Sequence, residues 1–416
     1  MKPCVFALLV VVGSVLVAAA GEPDGMIASP EPDWPQFRGP RRDGIAAEKG
    51  LLQTWPEGGP KLAWKIDGLG QGWSSPIVVG QRLYITGDVG DDLVIYAFDR
   101  QGRLQWKATN GRSWTGSYPG ARSSCTYAGG RLYHANAHGR LACLDAATGK
   151  ELWNVNFLDR FAGRNITWAL SESPVVDGRH AIVTPGGKKA LMAALDIDTG
   201  QTLWTTEPLE DKATHASPIL FQFQGRRLLA SCSSEHGFGV DAQTGKRLWV
   251  VPLKNPHGVN ASSPVYGDGR IFYFTAYIPG VQYRLVADGS DLRAERAWSC
   301  PLDTVTGGAI LHGDTLYAAG YRNPKWWFGF DWQTGEVRGE LKDVTTSSAC
   351  YADGRLYCLA EDGSAVLLKP ERGKLEIAGR FRISPKRLGD AWAHPVVFDG
   401  RLYLRYHDAL WCYEVR

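Results

Sequence analysis

A unit that recurs about every 40 to 50 residues runs through most of this chain. Each copy begins with a Ser-Pro-like step into a β-rich segment, and the copies begin at Ser75, Ser124, Ser173, Ser217, Ser263, Gly308, Ser348 and His394. A repeat of this length is typical of propellers and solenoids. Eight copies therefore restrict the fold more than any other feature of the sequence.

Within a copy, the pattern predicts four short strands. The first two flank a glycine turn, as in V-V-G-Q-R-L-Y-I at Val78–Ile85. The third ends in Asp, and a Thr-Gly turn leads to a fourth that carries Trp, as in C-L-D-A-A-T-G-K-E-L-W at Cys143–Trp153. Four antiparallel strands form one propeller blade. The sequence thus predicts an all-β, eight-bladed β-propeller of four-stranded antiparallel blades.

The two ends of the array predict how the ring closes. After His394 the chain has room for three strands only, and K-L-A-W-K-I at residues 61–66 carries the Trp of a fourth strand. Pairing of 61–66 with 410–415 would complete the eighth blade and remove two exposed sheet edges. Blades five to seven lack part of the Asp, Thr-Gly and Trp set, so the count of eight depends on this closure.

The residues before the ring divide into two segments. Residues 1–20 have a basic start, a short apolar run and small residues at their end, which is typical of a secretory signal peptide. A retained membrane anchor is the competing interpretation; we expect cleavage after about Ala20, a periplasmic or secreted protein and no later transmembrane segment. Residues 21–60 are predicted to be an extended Pro/Gly-rich leader that packs irregularly on the propeller, with no ladder strand in 21–45, and 61–416 to be a single propeller domain.

Composition narrows the chemistry. The formal net charge is +3 with no basic run, which argues against nucleic acid as a partner. Beyond Ala20 there are seven cysteines with no adjacent pair and no C-x-x-C, a pattern that disfavours metal clusters, attached haem and a dense disulfide framework. An odd count leaves at least one thiol unpaired unless chains crosslink.

One tryptophan recurs in the outer strands. We interpret these side chains as packing between neighbouring blades rather than as stacking platforms for a ligand. They are Trp64, Trp106, Trp153, Trp204, Trp249 and Trp298.

The S-P-V-V…G-R-L-Y…L-D-x-x-T-G-x-x-L-W unit resembles the repeat of the PQQ-binding-like β-propeller proteins. D-W-P-Q-F-R-G-P-R-R-D-G (33–44), S-E-S-P-V-V-D-G (171–178) and W-A-H-P-V-V-F-D-G-R-L-Y-L-R (392–405) look like an exported bacterial subfamily. The resemblance to quinoprotein dehydrogenases implies PQQ with calcium, but their adjacent cysteines are missing and their calcium ligands and base cannot be matched. The resemblance to the propeller lipoprotein of outer-membrane barrel assembly implies a protein scaffold, although no cysteine stands at the cleavage point for its lipid.

Blade order places the longer loops, within 110–122, 154–172, 275–282 and 319–326, on one face, where binding residues tend to lie. The positions two residues before each repeat start should ring the mouth of the central channel. They are Trp73, Arg122, Ser171, His215, Ala261, Thr306, Thr346 and Trp392. With their neighbours they give a candidate ligand site of Trp73, Arg122, Glu172, His215, Asn260, Trp392 and His394. The alternative is a channel of polar groups that satisfy one another, with Arg122 paired to Glu172.

No catalytic motif or metal site is predicted. G-x-S-x-G, H-E-x-x-H and P-loop patterns are missing from the sequence, and His215, His257 and His394 near the mouth have no carboxylate at ligand spacing. We therefore expect a binding or scaffold protein of the cell envelope, with no cofactor, that engages a protein or a glycan through its long-loop face. The alternative is a PQQ- and calcium-dependent dehydrogenase in which Trp73 or Trp392 stacks on the quinone.

Overall fold

The computed structural model describes Met1 and residues 23–289, 291–322 and 324–416, so the predicted signal peptide lies almost wholly outside the described residues. Eight four-stranded antiparallel blades form an eight-bladed β-propeller, which confirms the predicted fold class. The described part also contains one helical turn, Phe157–Arg160. It holds no helix that is both long enough and apolar enough to span a bilayer.

In each blade the first strand lies nearest the axis and the fourth lies outermost. Blade 1 consists of Ile77–Val79, Arg82–Val89, Asp92–Asp99 and Leu104–Arg112. Blade 2 consists of Thr126–Ala128, Arg131–Ala135, Arg140–Asp145 and Glu151–Asn156. Blade 3 consists of Val175–Asp177, His180–Val183, Ala193–Asp196 and Thr202–Thr205. Blade 4 consists of Ile219–Phe223, Arg226–Cys232, His236–Asp241 and Arg247–Pro252.

The second half of the ring repeats this order. Blade 5 consists of Val265–Gly267, Arg270–Tyr273, Gly280–Asp288 and Asp291–Cys300. Blade 6 consists of Ile310–His312, Thr315–Ala319, Trp327–Asp331 and Val337–Leu341. Blade 7 consists of Ser347–Ala352, Arg355–Ala360, Ser364–Glu371 and Lys374–Arg382. Blade 8 consists of Val396–Phe398, Arg401–Tyr406, Ala409–Glu414 and Lys61–Ile66.

The strand Lys61–Ile66 closes the ring as predicted. It runs antiparallel to Ala409–Glu414, with Lys61 opposite Glu414 and Ile66 opposite Leu410. The ammonium of Lys61 lies 2.9 Å from the Glu414 carboxylate. The eighth blade is therefore built from both ends of the propeller domain.

The recurring tryptophans pack between blades, as predicted, and the Asp-x-x-Thr-Gly turn explains how. In blade 2 the Asp145 carboxylate accepts the Thr148 amide at 2.8 Å and its hydroxyl at 2.7 Å. Gly149 has a φ of +74°, and a Cβ there would lie 2.5 Å from the ring of Trp106 in blade 1. The Trp106 indole donates to the Ala146 carbonyl at 3.2 Å. The turn of one blade thus sits on the tryptophan of the blade before it.

Serines at the start of the inner strands link five consecutive blades. The His394 amide of blade 8 donates to the Ser75 hydroxyl at 2.8 Å, and the Ser75 amide donates to Ser124 at 3.1 Å. The same bond joins Ser124 to Ser173 at 3.0 Å and Ser173 to Ser217 at 2.9 Å. The repeated Ser of the Ser-Pro step therefore holds the inner strands in register around the channel.

The leader corrects one expectation, because residues 25–26 and 45–46 form ladder strands. Gly25–Met26 pairs antiparallel with the inner strand of blade 4, and Ile45–Ala46 pairs in parallel with the inner strand of blade 7. An inner strand has an unpaired edge toward the axis, and its amides and carbonyls need partners when buried. The leader supplies those partners. Its two strands have only two residues each, so the repeat pattern of the blades does not predict them.

Residues 33–46, which we call the leader plug, fill the channel from the face of the short turns. The Gly80 amide donates to the Asp33 carboxylate at 2.7 Å, and Trp34 is 2% exposed. The Arg38 guanidinium donates to the Ala309 carbonyl at 2.7 Å, and that of Arg42 donates to the Ser173 carbonyl at 2.7 Å. Burial lowers the pKa of Arg38 to about 10 and that of Arg42 to about 9, so both remain cationic at neutral pH.

Candidate functional site

A cavity of about 210 Å³ lies at the end of the channel where the inner strands begin, and we call it the mouth cavity. Phe37 of the leader plug contributes to its lining. The other lining residues are Trp73, Tyr118, Arg122, Trp168, Ser171, Ser173, His215, Ser217, Val259, Ala261, Tyr277, Val305, Thr306, Tyr321, Trp392 and His394. The plug thus turns the channel into a cup that opens on the long-loop face.

Most of the residues predicted to ring the channel mouth lie around this cavity. Seven of the eight positions expected to ring the mouth line it: Trp73, Arg122, Ser171, His215, Ala261, Thr306 and Trp392. The eighth, Thr346, is buried and donates its hydroxyl to the Gly320 carbonyl at 2.6 Å. Of the candidate ligand residues, the structure brings together Trp73, Arg122, His215, Trp392 and His394. Glu172 and Asn260 do not line the cavity.

Glu172 lies behind the wall, where its carboxylate accepts the Thr184 amide at 3.0 and 3.1 Å. Burial raises the pKa of Glu172 to about 8. Among the described ion pairs none joins Glu172 to Arg122. The Arg122–Glu172 pair that the sequence suggested as an alternative therefore does not form. The side chain anchors the start of the second strand of blade 3 rather than the cavity.

Asn260 is fully buried within the loop that precedes blade 5. Its amide nitrogen donates to the Ser233 carbonyl at 2.6 Å, and its amide oxygen accepts from Asn255 at 3.1 Å and from the Thr275 hydroxyl. These bonds fix the loop beneath the rim of the mouth. Asn260 therefore supports the cavity from behind.

One wall of the mouth cavity is aromatic. The rings of Trp73 and Trp392 lie 5.3 Å apart at 33°, and the ring of Tyr118 lies 5.1 Å from that of Trp392. The indole of Trp73 donates to the Asp390 carbonyl at 2.9 Å, and that of Trp392 donates to the Glu361 carboxylate at 3.1 Å. Because both indole nitrogens are held, the two rings are positioned before any ligand arrives.

The opposite wall was not identified from the sequence residue by residue. The His257 ring stands between Trp168, at 5.9 Å, and Tyr277, at 4.8 Å, and the Arg322 guanidinium lies 3.9 Å over Tyr277. Tyr118, Trp168, Tyr277 and Tyr321 lie in the four segments expected to form long loops. Their positions in the predicted long loops were the only feature of the sequence that could have indicated these residues. Aromatic residues in loops follow no repeat, so the repeat cannot show which of them face the cavity.

Arg122 is the cationic side chain of the cavity lining. Its guanidinium lies 5.1 Å over the ring of Trp73 and donates to the Gly120 carbonyl at 2.6 Å, to the Ser117 carbonyl at 3.4 Å and to the Tyr118 carbonyl. Burial lowers its pKa to about 10, and it stays charged at neutral pH. Arg122 thus ties its own loop to the aromatic wall.

The two lining histidines are neutral. The Nε2 of His394 lies 3.0 Å from the Thr306 carbonyl, an acceptor, so Nε2 carries the proton and Nδ1 faces the Arg38 guanidinium at 3.5 Å. Burial, and second the Arg38 charge, lower the pKa of His394 to about 3. Burial and Arg122 lower that of His215 to about 3, and its Nδ1 is buried without a hydrogen-bond partner.

The lining does not fit PQQ with calcium. Calcium takes about six to eight oxygen ligands, yet no carboxylate lines the cavity and no three His, Cys, Asp or Glu side chains in the described ranges are placed to hold a metal. The volume of about 210 Å³ is below the ~300 to 1,000 Å³ of usual small-molecule pockets. The seven cysteines of the described chain are buried and unpaired.

Comparisons with known proteins agree with the repeat. Over 331 residues the chain is 24% identical to the outer membrane protein assembly factor BamB of Shewanella oneidensis, which covers 73% of this chain and 78% of that protein. It is 32% identical over 155 residues to the quinohemoprotein alcohol dehydrogenase ADH-IIG of Pseudomonas putida, which covers 34% of this chain but only 21% of the enzyme.

Solved structures share the fold. The crystal structure of BamB from Moraxella catarrhalis superposes with a TM-score of 0.60 at 15% identity, over 85% of this chain and 97% of the other. The quinohemoprotein alcohol dehydrogenase from Comamonas testosteroni gives 0.59 at 14% identity, over 92% and 80%. A family model described as outer membrane protein assembly factor BamB matches residues 90–338, more than half of the chain. The chain therefore belongs to the PQQ-like β-propeller repeat family of the outer membrane protein assembly factor BamB.

Proposed function

We propose that this chain is an exported binding protein of the cell envelope that holds a partner protein against its long-loop face. The mouth cavity carries the proposal, because large aromatic side chains surround Arg122 on the open face of a rigid ring. Trp, Tyr and Arg are the residues that most often dominate the energy of protein interfaces. A closed ring holds them in place at little entropic cost on binding.

The relatives support the class of partner. The BamB of Shewanella oneidensis is named for outer membrane protein assembly, and its similarity extends over 73% of this chain. An envelope protein is therefore the partner class that we propose for this chain. None of the relatives reported above is named for binding a glycan, so the glycan expected as an alternative gains no support from them.

A crosslinking experiment tests the proposed face. A photo-crosslinking residue at Tyr118, which is 48% exposed at the mouth, is compared with one at Leu203, which is 46% exposed on the outer strand of blade 3. In an envelope extract we expect a discrete crosslinked partner from position 118 and none from position 203. Equal yields from both positions would contradict the proposal.

A second experiment tests the alternative that the chain is a dehydrogenase. The similarity to a quinohemoprotein alcohol dehydrogenase is the reason to test it. PQQ and calcium are added together, and thermal unfolding and dye reduction are followed. A ligand present at 100 times its dissociation constant would stabilise the protein by about 2.7 kcal/mol. Because the cavity lining supplies no carboxylate, we expect neither stabilisation nor dye reduction; both together would establish the enzyme instead.

A further inference from the structure

We propose that the mouth cavity receives an acidic side chain of the partner protein, whose carboxylate pairs with Arg122 while its stem packs on Trp73 and Trp392. The inference rests on the proposed function and names the chemistry of the partner. It follows from the charges around the cavity, the free donors in its wall and its size.

The charges around the cavity favour an anion. Among the described residues, the lining contains Arg122 and no carboxylate. Three carboxylates stand behind the lining rather than in it: Glu172 accepts the Thr184 amide, Glu361 accepts the Trp392 indole, and Asp88, whose charge acts on Arg122, accepts the Trp114 amide at 2.9 Å. An acidic side chain would therefore enter without facing a like charge in the lining.

The leader plug adds to this field from below. Arg38 and Arg42 lie beneath the floor made by Phe37, and the guanidinium nitrogens of both donate to backbone carbonyls. Within the described chain, neither arginine forms a direct ion pair, although the Asp43 carboxyl acts on Arg38 and the Glu172 carboxyl acts on Arg42 at longer range. Fixed cations under a cavity with apolar walls focus a positive potential into it.

The walls retain unused donors. A guanidinium has five N–H groups, and the three bonds from Arg122 to carbonyls leave two for a ligand. The ring of His215 lines the same cavity, and its buried Nδ1 has no hydrogen-bond partner, so it can donate to a ligand in the tautomer that carries the proton on Nδ1. A carboxylate oxygen is the acceptor that an arginine binds most strongly.

The size of the cavity selects one side chain over a whole small molecule. A volume of about 210 Å³ is below the ~300 Å³ at which small-molecule pockets begin. The aromatic rim, with Tyr118, Tyr277 and Tyr321, surrounds the opening and would contact the neighbours of the inserted residue. The cavity thus matches a single anchor residue inserted from a partner surface.

Two peptides of equal shape test the inference. Calorimetry compares N-acetyl-Ala-Glu-Phe-amide with N-acetyl-Ala-Gln-Phe-amide, which differ only in one charge. We expect the Glu peptide to bind at least about tenfold more tightly, which corresponds to the lower end of the range for a hydrogen bond to a charged group. The advantage should shrink as salt concentration rises.

Variants assign the effect to one side chain. Arg122→Gln should abolish the preference for Glu over Gln, whereas Arg122→Lys, which keeps the charge, should retain part of it. The matched control is Arg112→Gln, which removes an exposed arginine at the start of the same loop and should leave the preference unchanged. Thermal unfolding of each variant shows whether the ring is intact.

The outcomes separate the two proposals. Equal binding of both peptides, or a preference that survives Arg122→Gln, would overturn the acidic anchor while the long-loop face stood as a peptide-binding surface. Binding of neither peptide at millimolar concentration would also overturn it, and the crosslink from position 118 would still decide the proposed function. A preference lost in Arg122→Gln and kept in Arg112→Gln would support the inference.

Discussion

The two ends of the channel use the same kinds of residue for opposite purposes. At the short-turn end, Trp34, Arg38 and Arg42 are 2%, 6% and 3% exposed, and the arginines donate to backbone carbonyls of the ring. At the mouth, the rings of Trp73 and Trp392 line an open cavity beside Arg122, and Tyr118 is 48% exposed.

The difference teaches that residue type does not mark a binding site by itself. The arginine and tryptophan side chains of the plug are buried in contacts within the chain, so they contribute to the free energy of unfolding. At the mouth they keep an accessible face and unused donors, so they are available to a ligand. Changes at the plug should therefore alter stability, and changes at the mouth should alter binding.

The largest effect should come from deletion of residues 23–66, which removes the plug and the closing strand together. The edge of Ala409–Glu414 would be exposed, and an unpaired hydrophobic edge promotes aggregation. We expect insoluble protein, and light scattering measures the aggregation. Deletion of residues 23–46 keeps the closing strand, and we expect soluble protein with a Tm lower by roughly 10 °C. Solubility of the longer deletion would refute the role of the closing strand.

Trp34→Ala should lower the free energy of unfolding by about 3 to 5 kcal/mol, because it empties the site of a buried indole. Denaturant titration measures the loss. The matched substitution at the mouth, Trp168→Ala, should cost less than about 1 kcal/mol, since that ring is only partly buried. Similar losses at both positions would erase the distinction between the two ends.

Glu172→Gln should change how stability depends on pH. The folded pKa of Glu172, about 8, exceeds the unfolded value near 4.5, so the folded state binds more protons between these pH values. Its contribution is present below about pH 4.5 and is lost as pH rises to about 8. We expect the difference in unfolding free energy between wild type and variant to drift by a few kcal/mol in that window. A constant difference would contradict the burial of Glu172.

The smallest effect should follow Tyr118→Ala, which truncates an exposed residue of the mouth. We expect a change in unfolding free energy within about 0.5 kcal/mol. Capture of the partner should nevertheless weaken, because the phenol ring contributes to the aromatic wall. A loss of stability without a loss of partner capture would show that Tyr118 stabilises the fold, as the plug residues do, and does not bind the partner.

Periodic features of this molecule were predictable from sequence, and non-periodic ones were not. The blades, the closing strand and most of the mouth ring follow from repeat register, which places Trp73, Arg122 and Trp392 at equivalent positions. The leader has no repeat, and its position depends on Arg38 and Arg42 reaching carbonyls of blades 6 and 3. Contacts between segments so distant in sequence are set by the assembled ring.

The closure of the ring also has a consequence for synthesis. Lys61 and its partner Glu414 are 353 residues apart, so the first strand of the domain to leave the ribosome waits for the last one. Contacts at such separation form slowly, and an unpaired strand is open to wrong partners meanwhile. The completed propeller is thus a product of the finished chain, and its first strand is the part most in need of protection while translation proceeds.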